Sequence, residues 1–247
     1  MRLIADWHTH SRYSRHGHGK GTIAQNAQAA LDRGLRQLAI TDHGPAQMSY
    51  GLRLADLPAM RREVDAWNDA HGDQLEVLLG VEANFISLDG EIDVPEAARP
   101  YLDLVVAGYH KLVLARPGGR ALFARQCVAR GLLRRDDPAM ARRATAMVVR
   151  ALERGGIDIL SHPGHDLTLE MDQVARAAAQ SGALLEINTS HGKLDAGQLA
   201  RAKALGARFC IDSDAHSPER VGDLAAGIAL ARRAGLTDAD VANTALF

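Results

Sequence analysis

Residues 157–216 read IDILSHPGHDLTLEMDQVARAAAQSGALLEINTSHGKLDAGQLARAKALGARFCIDSDAH, and this stretch decides the fold. Three short apolar runs, at 157–160, 184–187 and 209–211, alternate with two alanine-rich amphipathic stretches, at 169–180 and 196–205. Short buried strands separated by amphipathic helices are typical of parallel βα units, in which helices cover both faces of the sheet. The stretch therefore predicts strand, helix, strand, helix and strand in succession.

The same alternation continues back to the N-terminus. Further apolar runs occupy residues 3–5, 38–40, 77–81 and 104–107. Further amphipathic stretches occupy residues 23–33, 54–68, 139–154 and 219–234. A glycine follows four of the helical stretches, where a left-handed C-cap is expected, namely Gly34, Gly182, Gly206 and Gly235. Seven candidate strands, with no Gly-rich phosphate loop after the first, favour a closed or nearly closed α/β barrel over an open nucleotide-binding sheet.

The composition is that of a globular protein, with 47% apolar and 24% charged residues among 247. This length fits a single barrel domain over residues 1–247. No apolar run approaches the roughly 20 residues that span a bilayer and no signal-peptide pattern is visible, so we expect a cytoplasmic protein without a membrane partner. Because the formal net charge is −1, any phosphate must be bound locally and not by an overall field.

Residues 111–138 are the least regular part of the chain, with Pro117, Gly118, Gly119 and Pro138 around a short apolar patch. We interpret them as an excursion over one face of the barrel. The two cysteines, Cys127 and Cys210, lie far apart and form neither a disulfide framework nor a zinc-ribbon spacing.

Side chains that can bind metal ions follow every predicted strand. In chain order they are His8, His10, His16 and His18; Asp42 and His43; Glu82; His110; His162; Asn188 and His191; and Asp212, Asp214 and His216. Because all strands of a parallel barrel end on one face, these residues are predicted to meet there. That face is the predicted active site.

Imidazole and carboxylate ligands, without cysteine, fit zinc, manganese or iron. The candidates exceed the three or four ligands of one catalytic ion, which predicts two or three divalent ions with Glu82 bridging two of them. Taken singly, His18, His71, His165 and His191 are more typical of capping or surface residues. Asp42 either orients a neighbouring ligand or caps the helix that follows.

The motifs resemble those of the PHP family, named for polymerase and histidinol phosphatase. The matching pieces are DWHTHS at 6–11, ITDHG at 40–44, GVEAN at 80–84, GYH at 108–110, SHPG at 161–164 and DSDAHS at 212–217. They occur in the family order and run through most of the chain. The resemblance implies a distorted seven-stranded barrel and usually three metal ions.

The resemblance also implies how the ligands divide among the ions. One ion would be bound by His8, His10, Glu82 and Asp214. The second would share Glu82 and take His110 and His162, and the third would be held by His16, His43 and His216, with His18 as the alternative to His16. For the residue that protonates the leaving group, Asp212 and Asp42 are the candidates, beside a metal-bound water.

A stand-alone chain of this kind is expected to be a metal-dependent phosphoesterase. Its substrate would be a small phosphomonoester such as histidinol phosphate or a nucleotide, attacked by a metal-activated hydroxide at a trinuclear centre, since bound metal lowers the pKa of water to about 7. Lys20, Lys111, Arg116, Arg120 and Arg125 are candidates for binding a second phosphate or a carboxylate, although each alone is more typical of a solvated charge.

Two other functions remain open at this point. An amidohydrolase-like enzyme acting on C–N bonds also begins with His-x-His and ends with a late aspartate, but often uses a modified lysine where this chain has Glu82. A non-catalytic PHP scaffold would be expected to lose ligands, and none is missing here. The low aromatic content, 4%, does not favour extended nucleic-acid binding. The oligomeric state is left open.

Overall fold

The computed structural model describes residues 1–117 and 138–247. Most of the irregular stretch predicted at 111–138 therefore lies outside the described residues. The same applies to the interpretations of Gly118, Gly119, Arg120, Arg125 and Cys127.

Seven parallel strands form one sheet in the order of the chain, β1-β2-β3-β4-β5-β6-β7. Their bounds are β1 Ala5–Thr9, β2 Gln37–Ile40, β3 Glu76–Asn84, β4 Leu104–Gly108, β5 Ile159–Leu160, β6 Leu184–Asn188 and β7 Phe209–Asp212. The described helices are α1 Ile23–Asp32, α2 Leu57–His71, α3 Pro138–Arg154, α4 Met171–Ser181, α5 Ala196–Ala204 and α6 Ala225–Arg233. The predicted seven-stranded α/β barrel is confirmed.

The strands differ from the predicted runs mainly at their C-terminal ends. β1 begins two residues later than predicted and runs to Thr9, and β3 continues to Asn84. His8 and Glu82 thus lie within strands and not after them. The apolar runs predicted only the part of each strand that packs in the core. The strands extend further, through buried polar residues, to the end of the barrel.

Two helices begin later than their amphipathic stretches. The stretch at 54–68 begins with a 3₁₀ turn, Leu54–Asp56, before α2. The stretch at 219–234 also begins in a 3₁₀ turn, Pro218–Arg220, and α6 starts only at Ala225. Gly222 separates the two with φ +74°, a conformation that breaks the helix. The four glycines predicted as left-handed C-caps all have positive φ.

Two apolar layers hold the barrel together. Small and medium side chains from every strand fill its interior, with Trp7 as the largest of them. A larger cluster packs the outer faces of the strands against the helices. At the N-terminal end of the strands, the Phe247 ring meets Trp7 edge-on with ring centroids 5.3 Å apart. The interior is therefore filled, and the space for chemistry lies at the opposite end.

Side chains, and not a strand ladder, close the barrel between β1 and β7. Among the described residues, β1 and β7 are joined along the backbone by an isolated bridge between Thr9 and Ala215 and not by a continuous ladder. Asp6 accepts hydrogen bonds from the N–H and hydroxyl of Ser213, at 3.0 and 2.5 Å. The amide of Asn243 donates to the carbonyls of Ala5 and Ile211, at 3.0 and 2.7 Å. These bonds satisfy backbone groups that a seventh ladder would otherwise pair.

No described helix is long and apolar enough to cross a membrane.

Candidate metal centre

Glu82 lies at the centre of the predicted ligands and is fully buried. Five imidazoles lie within 3.6 Å of its carboxylate: His162, His110 and His8 at 2.8, 3.1 and 3.4 Å from Oε1, and His43 and His10 at 2.8 and 3.6 Å from Oε2. These residues come from strands and loops distributed over much of the chain. The geometry matches the bridging role predicted for Glu82.

Asp214 provides a second carboxylate beside Glu82. Its Oδ1 lies 3.1 Å from Nε2 of His10 and 3.6 Å from Nε2 of His8, and its Oδ2 accepts a hydrogen bond from the Asn188 amide at 3.0 Å. Asp214 has φ +52° and His162 has φ +27°, in the left-handed region that side chains other than glycine seldom adopt. Such backbone conformations are concentrated at functional sites, where the surrounding structure maintains them.

His18, and not His16, lies against His216 and His43. The two Nε2 atoms of His18 and His216 are 3.0 Å apart, and the rings of His18 and His43 are 5.1 Å apart between centroids. His16 is exposed at the tip of the loop with φ +59°. Of the two alternatives for the third group, the structure places His18, and not His16, beside His216 and His43.

The first loop folds back on itself, which explains the position of His18. Gly19 passes so close to the carbonyl of Ser11 that no side chain fits there. The N–H of Lys20 donates to the carbonyl of His216 at 3.0 Å, and the His18 ring stacks on Tyr50 at 3.8 Å. These contacts turn the His18 ring into the site and leave His16 in solvent.

Four of the clustered imidazoles have their Nδ1 atoms turned away from the centre. The partners of these Nδ1 atoms are Glu186 Oε1 for His8 at 2.6 Å, Ser14 Oγ for His10 at 3.2 Å, Asn84 Oδ1 for His110 at 2.8 Å and the Asp214 carbonyl for His216 at 2.9 Å. Histidines that bind metals usually donate the other ring N–H in this way, which fixes the tautomer. In this tautomer each Nε2 carries a lone pair.

The donor atoms that remain fit divalent cations. Nε2 of His8 and Nε2 of His10 are 3.2 Å apart, close enough for both nitrogens to bind one cation. Both ring nitrogens of His43 and Oε2 of Glu82 are buried without a hydrogen-bond partner. Nδ1 of His43 lies 2.8 Å from Oε2, but this contact does not have the geometry of a hydrogen bond. Neutral imidazole with carboxylate is a ligand set suited to zinc, manganese or iron.

Three overlapping groups in the described residues bring their donor atoms within 4.8 Å of one another. They are His8, His10 and Glu82; His43, Glu82 and His110; and His10, His43 and His216. Glu82, His10 and His43 each belong to two of these groups. The overlap is what a centre with bridged ions requires.

The protonation states of Glu82 and His43 are those that metal binding needs. Burial alone would raise the pKa of Glu82, but the neighbouring His110 and His8 hold it well below its usual range. Burial lowers the pKa of His43 to about 3. At neutral pH the carboxylate is thus ionised and the His43 ring is neutral, and these are the forms that bind metal ions.

Asp42 positions the first loop and does not face the centre. Its two oxygens accept hydrogen bonds from the N–H and hydroxyl groups of Ser11 and Ser14, at 2.6 to 2.8 Å. Burial raises the pKa of Asp42 to about 6, although the hydrogen bonds from Ser11 and Ser14 lower it. The Ser14 hydroxyl in turn meets Nδ1 of His10. The alternative in which Asp42 orients a ligand agrees with this geometry, whereas a proton donor to substrate does not.

Asp212, the other candidate proton donor, also lies away from the substrate side. Its Oδ1 accepts a hydrogen bond from the N–H of Trp7 at 2.7 Å, within the β1–β7 seam, and the side chain is fully buried. Burial, together with the carboxylates of Asp6 and Glu186, raises its pKa to about 8. The group is therefore protonated near neutrality, but its contacts are with the protein interior.

Glu186 is the functional residue that the sequence interpretation missed. It is buried in β6, where its Oε1 lies 2.6 Å from Nδ1 of His8 and its Oε2 accepts from the N–H of His162 at 2.5 Å and the Asn188 amide at 3.0 Å. The Glu186 carboxylate therefore fixes both the orientation of the His8 ring and the position of the His162 backbone. A charged residue inside the apolar run LLEIN was the available signal.

Replacing Glu186 with glutamine is expected to weaken metal binding about 10- to 100-fold, because a neutral amide accepts less strongly from Nδ1 of His8 and its ring loses basicity. The measurement is a competition titration of the purified protein against a chelator. Glu153→Gln, an exposed change near the end of α3, is the matched control. An unchanged affinity in Glu186→Gln with normal affinity in the control would show that Glu186 does not act on the centre.

Comparisons with known proteins agree on one family. Residues 6–190 match the family model of the PHP domain. A probable phosphatase of Thermoanaerobacter sp. is 30% identical over 99% of this chain and 91% of its own length. A probable phosphatase of Shewanella oneidensis is 31% identical over 87% of this chain and 77% of its own length.

Solved structures with the same fold include a histidinol phosphate phosphatase from Lactococcus lactis in complex with zinc, L-histidinol and phosphate. It has a TM-score of 0.66 and 16% identity, covering 95% of each chain. A putative histidinol phosphatase from Listeria monocytogenes has a TM-score of 0.61 and 14% identity, covering 88% of this chain and 97% of its own. At these identities the likeness shows a common fold.

Proposed function

The chain belongs to the PHP domain family, and on that basis we propose that it is a metal-dependent phosphoesterase that hydrolyses a small phosphomonoester. The observation that carries the proposal is the convergence of imidazoles on the buried carboxylate of Glu82 at one end of the barrel. The relatives named as probable phosphatases and the zinc and phosphate in the Lactococcus structure support the same reaction class.

The proposed ligands fall into three groups. His8, His10, Glu82 and Asp214 would hold the first ion, and His110 and His162 would hold a second together with Glu82. His18, His43 and His216 would hold the third. Bound divalent ions neutralise phosphoryl oxygens and make a water acidic, the charge stabilisation that phosphate-ester hydrolysis needs.

Other residues around the centre hold the proposed ligands in place and fill the barrel interior beneath them, on the side of the strand N-termini. Glu186, Ser14 and Asn84 fix the ring orientation of three ligands. Among the described residues, the Trp7 side chain fills the barrel interior on the side opposite the open end. Enzymatic hydrolysis of a phosphomonoester requires on the order of 20 kcal/mol of barrier reduction, which demands such preorganised charge.

The test is release of inorganic phosphate from a panel of phosphomonoesters, with added manganese or zinc and with a chelator. We expect release that needs metal and that falls at least about 100-fold in His43→Ala, because this ring lies against Glu82 and His18. His71→Ala, at the end of α2, is the matched control and should keep wild-type activity.

Three results would contradict the proposal. Failure to release phosphate with any metal excludes a phosphatase. Cleavage of C–N substrates without phosphatase activity would favour an amidohydrolase-like enzyme. A folded protein that binds no metal and hydrolyses no ester would favour a scaffold.

A further inference from the structure

Two histidines that are unremarkable singly in the sequence lie together at the rim of the metal centre. The rings of His165 and His191 are 4.6 Å apart between centroids, and they lie 5.5 and 6.4 Å from the ring of His162. Nε2 of His191 is 3.9 Å from Oδ2 of Asp214, and 46% of its side chain is exposed. The pair therefore borders two proposed ligands on the solvent side.

Two basic side chains near this pair already form ion pairs with carboxylates. Lys111 forms an ion pair with Asp166 at 2.7 Å, and Arg220 forms one with Asp223 at 3.4 Å. Lys193 is exposed, its Cβ lies close to Gly164, the residue before His165, and within residues 1–117 and 138–247 no carboxylate forms an ion pair with it. An anion at this rim would meet Lys193 and two imidazoles.

We propose that His165, His191 and Lys193 form a subsite for an anionic group, a carboxylate or a second phosphate, on the leaving-group side of the substrate. The inference rests on the proposed phosphoesterase function and names the class of substrate for that same site. Because the pair borders His162 and Asp214, a phosphoryl group held by the proposed ligands would direct its ester oxygen and the next atoms toward the rim.

The distances fit a short leaving group. Three or four bonds beyond phosphorus span roughly 5 Å, from the standard lengths of single bonds. The rings of the pair lie 5.5 and 6.4 Å from the ring of His162, so a short leaving group could reach them from the proposed ligands. An anionic end group accepts hydrogen bonds from imidazole N–H and from the Lys193 ammonium. A leaving group that ends in an amine would instead be repelled by Lys193.

The experiment uses the metal-loaded full chain and four phosphate esters that share a two-carbon chain. Phosphoglycolate ends in a carboxylate, ethylene glycol bisphosphate in a second phosphate, hydroxyethyl phosphate in a neutral hydroxyl and phosphoethanolamine in an ammonium. We expect kcat/KM for at least one anionic ester to exceed that for hydroxyethyl phosphate about tenfold or more, mainly through KM, with phosphoethanolamine lowest. The two anionic esters distinguish a carboxylate subsite from a phosphate subsite.

Lys193→Gln and His191→Gln are expected to lower the ratio of kcat/KM between the preferred anionic ester and hydroxyethyl phosphate about tenfold. Arg208→Gln, an exposed change directly before β7 at the other end of the barrel, should keep the wild-type ratio. If either rim variant had only a structural effect, kcat/KM would fall equally for both esters and their ratio would stay unchanged.

The proposal is overturned if the wild-type protein hydrolyses these esters without preferring an anionic one, or if both rim variants keep the wild-type ratio. In either case the phosphoesterase function stands. If the wild-type protein hydrolyses none of the esters and p-nitrophenyl phosphate is also untouched, the phosphoesterase proposal fails and the subsite fails with it.

Discussion

Glu82→Gln is expected to lower phosphatase activity by about 10³-fold or more and to release most of the bound metal. Removing the charged partner from a buried ionic cluster costs about 3–5 kcal/mol, and each 1.4 kcal/mol is a factor of ten in binding. Five imidazoles lie within 3.6 Å of this one carboxylate, so the loss reaches every part of the centre. A neutral amide cannot bridge two cations.

The measurements are metal content by elemental analysis and phosphate release at saturating substrate. Glu76→Gln is the matched control, because it makes the same change at the exposed first residue of the same strand. Circular dichroism of both variants separates loss of the centre from loss of the fold. If Glu82→Gln retained full metal and full activity, the central role of this carboxylate would be refuted.

His18→Ala is expected to remove about one metal ion per chain and to lower activity at least about 100-fold, whereas His16→Ala should change neither. His18 meets Nε2 of His216 at 3.0 Å and is held there by stacking on Tyr50. His16 projects into solvent from the same loop. Loss of a ligand from a three-histidine group leaves too few donors to retain the ion.

The two variants are matched in residue type and differ by two positions in one loop. Metal content after exhaustive dialysis and phosphate release are measured side by side. Loss of metal in His16→Ala with a normal His18→Ala would reverse the assignment. Equal loss in both variants would instead indicate that the loop as a whole, and not one ring, supports the third group.

The fold was predictable because each strand of a filled barrel needs a short apolar run and each covering helix an amphipathic one. The ends of the strands were harder to predict from the sequence. His8 and Glu82 are polar residues within strands, and hydropathy treats such residues as the beginning of a loop. Their extended conformation depends on burial at the barrel mouth, which only the assembled strands provide.

The convergence of the candidate ligands was predictable for a related reason, since parallel strands bring their C-terminal ends to one face. What the sequence could not resolve is which residues act behind the ligands. Glu186 orients His8, and Asp42 holds the loop around His10 through Ser14. These roles depend on contacts across the barrel, which no local pattern encodes.

The sequence left His16 and His18 as alternatives for a different reason. Both lie in a loop rich in glycine, where chain spacing does not fix direction. The decisive feature is the close approach of Gly19 to Ser11, which turns the loop back toward β7. This approach is set by tertiary contacts and not by the loop's own sequence.

Because the proposed metal centre lies across the seam between β1 and β7, metal binding would also affect the stability of the barrel. His8 and His10 come from the first strand and the residue after it, and Asp214 and His216 follow the last. Ions shared by these side chains would join the two ends of an open sheet that lie about 200 residues apart in sequence. Ligand binding to the native state alone adds directly to folding free energy. The barrel's resistance to heat would then depend on free metal concentration, so metal supply would regulate the lifetime of the folded chain as well as its rate of turnover.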